Sequence, residues 1–195
     1  MTGKTHIAIG IAAGLTVSSG QPIENQLALI LASAIGSLVP DLDHPKAKLN
    51  QKFLLIKNNT YRTFFYLFLS GLFLYLYFVV NNKTFGLLGI VTFFIGISEH
   101  RGFTHSIVGF LISISIVKIV TSKYGFPPIY TGFTLGYALH LAADFFNPKG
   151  IKLFYPLKNN ISSPITVKTY SSAEKLIFIF LNVYSILLLF KFLNS

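Results

Sequence analysis

Phe64-Phe65-Tyr66-Leu67-Phe68-Leu69-Ser70-Gly71-Leu72-Phe73-Leu74-Tyr75-Leu76-Tyr77-Phe78-Val79-Val80 runs for 17 residues without a charge. As a helix it reaches about 25 Å at ~1.5 Å per residue, close to the ~30 Å hydrocarbon core of a bilayer, and so reads as a membrane span. A second apolar run covers 174–193, with its charges, Glu174, Lys175 and Lys191, near its ends. The composition extends the same reading to the rest of the chain. The 195 residues are 52% hydrophobic and 11% charged, with 20 Phe and 10 Tyr, and the mean hydropathy is +0.62. That is more apolar surface than a chain of this length can hide in a soluble core, so lipid must cover much of it. The expectation is an all-α, polytopic membrane protein: one integral membrane domain over 1–195, with no room for a second, soluble domain.

Apolar runs bounded by polar or Pro/Gly punctuation predict about six or seven helical elements, at roughly 5–19, 26–39, 63–80, 85–98, 104–121, 128–143 and 174–193. The first two and the fourth are short enough to be tilted, half-buried or re-entrant. Two longer polar segments interrupt them, 41–62 and 145–172. The second contains Asn147-Pro148-Lys149-Gly150, which should stop a helix, and its Pro, Gly and Ser content suits a lid. The N-terminus shows no clean small-residue cleavage site and is read as retained. Without cysteine, disulfides and thiolate zinc sites are both excluded, which leaves imidazole and carboxylate as metal ligands.

If each element crosses once, Lys4, Lys46, Lys48, Lys52, Lys57, Arg62, Arg101, Lys149, Lys152, Lys158, Lys168 and Lys175 fall on one side. Only Lys83, Lys118, Lys123 and Lys191 fall on the other. This bias predicts a multi-pass cell-membrane protein with its N-terminus in the cytoplasm. The net charge of +10 then needs no nucleic acid. A basic rim beside anionic lipid headgroups accounts for it.

The same topology gathers the scarce acids and histidines on that cytoplasmic side. All five histidines and four of the six carboxylates lie in or beside four clusters. These are Thr5-His6, Pro40-Asp41-Leu42-Asp43-His44, Glu99-His100-Arg101-Gly102-Phe103-Thr104-His105-Ser106, and His140 to Asp144. Each has an ordinary reading. His140 and Asp144, at i and i+4, can bind one cation or simply hydrogen-bond to each other. Asp41 and Asp43 can cap a helix or line a solvated turn, or they can ligate a hard or borderline cation. His100 and His105 are too far apart for one helical face, but Gly102 lets the chain turn so that both imidazoles converge, while Thr104 can cap the helix that follows. A lone His6 is more often structural. Together the clusters favour a metal site, because ionisable groups near a bilayer are costly unless paired, solvated or functional. The donors exceed what one tetrahedral zinc needs, which leaves room for two ions about 3.5–4 Å apart.

The series Pro40-Asp41-Leu42-Asp43-His44, His100-Arg101-Gly102-Phe103-Thr104-His105-Ser106, and His140 through Asp144 into Asn147-Pro148-Lys149-Gly150 and Leu153-Phe154-Tyr155-Pro156 resembles the membrane-bound metal-dependent hydrolase family of bacteria and archaea. His6 matches that family's N-terminal histidine. The resemblance covers roughly 1–156, and its motif order is more specific than any single motif. Asn147 stands where family members often carry Thr. Through the family's likeness to metal-dependent phospholipase C, the resemblance implies hydrolysis with one or two divalent ions, zinc first and manganese or iron as options. It implies His6, Asp43, His44, His100, His105, His140 and Asp144 as metal ligands. Asp41 or Glu99 would act as general base or orient a ligand histidine, and Arg101 would hold a phosphate.

A site at the cytoplasmic membrane face suits a lipid or lipid-linked phosphoester whose tails stay in the bilayer. Proteolysis is disfavoured by the absence of a His-Glu-x-x-His segment. Three alternatives differ in class. A histidine-nucleophile lipid phosphatase would carry PSGH-like and Lys/Arg-Pro segments, which are missing here. A metal-ion or small-solute transporter would place its binding groups near the midplane rather than at helix ends. A metal-stabilised scaffold would lose stability on chelation without losing a reaction. Membrane lipids are the expected partners; sequence identifies neither protein partners nor oligomeric state.

Overall fold

Asn58 lies outside the longest helix and closes its first turn by accepting a hydrogen bond from the Tyr61 amide at 2.7 Å. In the computed structural model, which describes residues 1–193, helices begin this way repeatedly. The helices are α1 Gly3–Ser18, α2 Ile23–Gly36, α3 Asn50–Phe53, α4 Asn59–Val80, α5 Lys83–Ile97, α6 Ile107–Tyr124, α7 Pro127–Phe145 and α8 Ser172–Leu193. Thr2 caps α1, Asn82 caps α5 and Ser106 caps α6, while a proline opens α7 where its missing N–H costs nothing. Helix α4 stops at Asn81 and α6 stops before Gly125, both in the left-handed conformation. Short 3₁₀ turns occupy Pro40–Asp43 and Phe103–His105. Among the described residues there is no β-strand, only an isolated bridge between Ile151 and Ile161.

Each of the seven expected regions holds a helix, and the segment 41–62 adds the single turn α3. Four stretches are long and apolar enough to cross a bilayer: Ile23–Asp43, Asn59–Val80, Ile107–Tyr124 and Ser172–Lys191. The shorter α5 is apolar as well. Phe64, Phe68 and Phe78 on α4 and Phe180 and Leu187 on α8 lie exposed, as side chains facing lipid should. Helix α4 begins four residues before the expected start, because the Asn58 cap draws Arg62 into the first turn.

The described residues form two compact units. The first comprises Met1–Val39, Phe126–Ile151 and the residues from Asn160 on. Here α2 packs on α1 and α7, and α1 also meets α7 and α8. The α2–α7 contact is backbone against backbone. A Cβ on Gly132 would lie 2.2 Å from the Leu29 carbonyl oxygen, and one on Gly136 would lie 1.9 Å from that of Ser33. Small residues four apart bring membrane helices this close. Glu174 of α8 accepts hydrogen bonds from the Thr2 amide and the Thr5 hydroxyl, which ties the start of α1 in place.

The second unit comprises Pro40–Gly125 and Lys152–Asn159. Its frame is the hairpin of α4 and α5, with α6 and the two 3₁₀ turns against α5. Arg62, 4% exposed, projects from the first turn of α4 and donates to the carbonyls of Asp43, Ile95, Gly96 and Ser98. It thereby ties the Pro40–Asp43 turn to the end of α5. Asn50 of α3 adds a second tie: its amide donates to the carbonyls of Leu42 and His44, and its oxygen accepts from the Tyr66 hydroxyl at 2.6 Å.

Candidate metal centre

In the first unit, α1 contributes His6 and the last turns of α7 contribute His140 and Asp144, all buried. The helical spacing puts His140 and Asp144 on one face. Gly136 and His140 are also four apart, so the helix that seats its backbone on Ser33 delivers His140 to Ser37 one turn later. There the His140 Nδ1 lies 2.7 Å from the Ser37 carbonyl oxygen. A carbonyl only accepts, so Nδ1 carries a hydrogen there and Nε2 is the nitrogen through which the ring would meet a ligand.

The His6 ring stacks on that of His140 with centroids 3.8 Å apart. Its Nε2 is 3.3 Å from Asp144 Oδ1, yet neither ring nitrogen has a hydrogen-bond partner. A buried imidazole with two unsatisfied nitrogens is expensive. Two ligands of a tetrahedral zinc at about 2.0–2.1 Å stand about 3.4 Å from each other, which matches the 3.3 Å separation. One donor atom from each of His6, His140 and Asp144 lies within 4.8 Å of the others. The residues fit a divalent ion. The Asp144 carboxylate also meets the amino group of Met1.

In the second unit, the Pro40–Asp43 turn and the loop 98–106 form another cluster around Asp43, whose side chain is fully buried. Asp43 Oδ1 meets His100 Nδ1 at 2.8 Å. Oδ2 accepts from the Arg101 amide and the Thr104 hydroxyl, both at 2.8 Å, and faces His105 Nδ1 at 3.2 Å. On the far side of that ring, His105 Nε2 lies 3.7 Å from Asp41 Oδ1. The rings of His44, His100 and His105 neighbour one another edge to face.

The loop holding this cluster differs from its sequence reading in two places. The chain reversal expected of Gly102 is shared with Arg101, which takes a positive φ of 64°, a conformation that strains a residue with a side chain. The Arg101 backbone is held there by its amide bond to Asp43 and by its carbonyl, which accepts from the Lys152 amide. Thr104 does not cap α6; Ser106 does, accepting from the Gly109 amide at 3.0 Å, and the Thr104 hydroxyl serves Asp43 instead.

Two other expected site residues are engaged elsewhere. Glu99 is exposed and pairs with Lys152 at 2.7 Å. That hydrogen bond and charge hold its carboxyl below the usual carboxylate range, which makes it a weaker base. The His44 Nδ1 accepts the Lys46 amide at 3.2 Å. Burial lowers its pKa below that of a free imidazole, so the ring is neutral at pH 7 and its hydrogen sits on Nε2. Ligation through Nε2 would require that hydrogen to move to Nδ1 and the Lys46 amide bond to be given up. Sequence reasoning missed Arg62 as part of this frame, having counted it only as a cytoplasmic charge. A signal existed: among 16 basic residues the only two arginines, Arg62 and Arg101, both fall in this unit.

A model of the YdjM inner membrane protein family matches residues 1–193, which include both clusters. The chain belongs to that family. It is similar to the protein YvsG of Bacillus subtilis (strain 168), with 30% identity over 179 residues that cover 91% of this chain and 87% of that one. It is also similar to the inner membrane protein YdjM of Escherichia coli (strain K12) and of Shigella flexneri. Each of these is 24% identical over 194 residues, 95% of this chain and 82% of theirs. No solved structure matches. Family membership and the apolar helices together make this a membrane protein.

Proposed function

We propose that this protein is a membrane-embedded, metal-dependent hydrolase that cleaves a phosphoester of a lipid or lipid-linked substrate at the cytoplasmic face. The observation that carries the reading is His6: buried, without a hydrogen-bond partner at either nitrogen, stacked on His140 and at co-ligand distance from Asp144. A His6–Asp144 ion pair would use only Nε2 and at long range, whereas a divalent ion shared with His140 and Asp144 accounts for the stacked, converging donors. His6, His140 and Asp144 would hold one ion. His105 Nε2 and Asp41, with His100, would supply donors in the second unit. A bound zinc-like ion lowers the pKa of a coordinated water and polarises a phosphoryl oxygen. Asp41, beside His105 Nε2, is better placed than Glu99 to take a proton, because Glu99 is occupied by Lys152. The planar Arg101 guanidinium would hold the substrate phosphate.

The test is metal content by elemental mass spectrometry on detergent-purified protein, for wild type beside His6→Ala and a His100→Ala/His105→Ala double variant, each checked for folding by circular dichroism. One or two zinc, manganese or iron ions per chain are expected, reduced in each folded variant. Metal-dependent release of phosphate or headgroup from a panel of phospholipids and lipid phosphates should follow. Absence of stoichiometric metal after reconstitution would sink the proposal. Bound metal without cleavage, where chelation only lowers the melting temperature, would move the weight to a scaffold.

A further inference from the structure

The geometry assigns Asp43 a role distinct from ligation: it is the shared positioning carboxylate that sets both His100 and His105 with Nδ1–H inward and Nε2 outward. The inference rests on the metal-dependent reading for its purpose, although its central observation does not need a metal. An ionised carboxylate offers about four lone-pair positions, and Asp43 has four partners: His100 Nδ1, the Arg101 amide, the Thr104 hydroxyl and His105 Nδ1. Three of them converge on Oδ2 and one on Oδ1, and the side chain is fully buried, so this carboxylate is committed to holding the loop and its two imidazoles.

The hydrogens can be assigned by elimination. The Arg101 amide can only donate, and the Thr104 hydroxyl spends its single hydrogen on Asp43 at 2.8 Å. Thr104 Oγ1 therefore faces His105 Nδ1, 3.1 Å away, as an acceptor. His105 Nδ1 thus sits between two acceptors, Thr104 Oγ1 and Asp43 Oδ2, and must carry the hydrogen. His100 Nδ1 faces the carboxylate at 2.8 Å and must carry one for the same reason. Each ring's Nε2 is then the nitrogen turned away from Asp43 and left to meet an ion, and His105 Nε2 is the atom that faces Asp41. Of the two aspartates in the Pro40–Asp43 turn, Asp41 is the one placed to meet an ion or its water, while Asp43 orients the imidazoles from behind.

Nitrogen NMR of the metal-free protein in detergent, with ¹⁵N-labelled histidine and assignment by single His→Gln variants, reads the tautomers directly. His100 and His105 are expected to carry hydrogen on Nδ1, against the Nε2–H form that imidazole prefers in water. Asp43→Asn, which turns one acceptor oxygen into a donor, should shift at least one ring to Nε2–H. It should also weaken Zn²⁺ binding at the His100/His105 cluster by about 10–100-fold while leaving the His6/His140/Asp144 ion in place. Nε2–H tautomers at both rings in wild type would overturn the assignment, as would an Asp43→Asn protein with unchanged tautomers and unchanged affinity. If Asp43→Asn does not fold, the wild-type spectrum decides alone. Wild-type protein that binds no metal but shows both Nδ1–H tautomers would defeat the hydrolase proposal and leave this one standing.

Discussion

Arg62 shows how much of this fold one side chain holds. Its guanidinium meets the Ile95 and Gly96 carbonyls at 3.0 and 3.3 Å, oxygens at the end of α5 that have no later amide to accept from, and adds those of Ser98 and Asp43. The negative end of the α5 dipole favours a cation there, and the planar fork distributes donors as an ammonium cannot. The Gly96 carbonyl keeps the Thr63 hydroxyl at 2.9 Å, but each of the other buried carbonyls left without a partner costs about 1–3 kcal/mol. Arg62→Met should therefore destabilise the protein by ~3 kcal/mol or more, and Arg62→Lys should recover only part of the loss. Thermal unfolding followed by far-UV circular dichroism in detergent measures this; without tryptophan, indole fluorescence is no substitute. A wild-type midpoint for Arg62→Met would show that the carbonyls find other donors.

At the scale of elements, the α2–α7 pair sets the register of the first cluster, since Gly136 at Ser33 and His140 at Ser37 are successive steps along one seam. Gly136→Ala forces the helices apart at a contact that has no side chain to give way. It should cost about 1–3 kcal/mol and lower metal occupancy of the His6/His140/Asp144 group. Gly71→Ala is the matched control: a Cβ on this mid-helix residue of α4 meets nothing within 4 Å, so it should be neutral or stabilising by about 0.4–1 kcal/mol. Melting and metal stoichiometry measured on both variants would refute the seam if the two behaved alike. The glycine pairs Gly132/Gly136 and Gly10/Gly14 stand four apart in the sequence and could have been marked as close-packing faces. Which helix each faces is a matter of tertiary pairing, which spacing alone does not carry. Helix existence followed from apolar runs for all seven expected regions. Helix ends drifted because caps such as Asn58 and Ser106 act through one local hydrogen bond.

For the whole molecule, hydropathy and the scarcity of charge made the membrane class readable, and the gathering of His and carboxylate marked the candidate residues. Their division of labour was not readable, because spacing says which groups share a loop but not which imidazole nitrogen faces which oxygen. Sidedness remains a proposal from charge, and it can be tested cleanly because the chain has no cysteine of its own. Lys46, Lys123 and Lys168 are all exposed, so single cysteines there are open to reagent. The excess of Lys and Arg on the 41–62 and 145–172 segments puts Lys46 and Lys168 in the cytoplasm and Lys123, at the end of α6, outside. A membrane-impermeant maleimide applied to intact expressing cells should label Lys123→Cys and spare Lys46→Cys and Lys168→Cys until the membrane is permeabilised. The reverse pattern would invert the protein and move the proposed lipid substrate to the opposite leaflet. Labelling of Lys46→Cys but not Lys168→Cys in intact cells would mean that the number of crossings between them is odd, contrary to the four that the proposed topology requires.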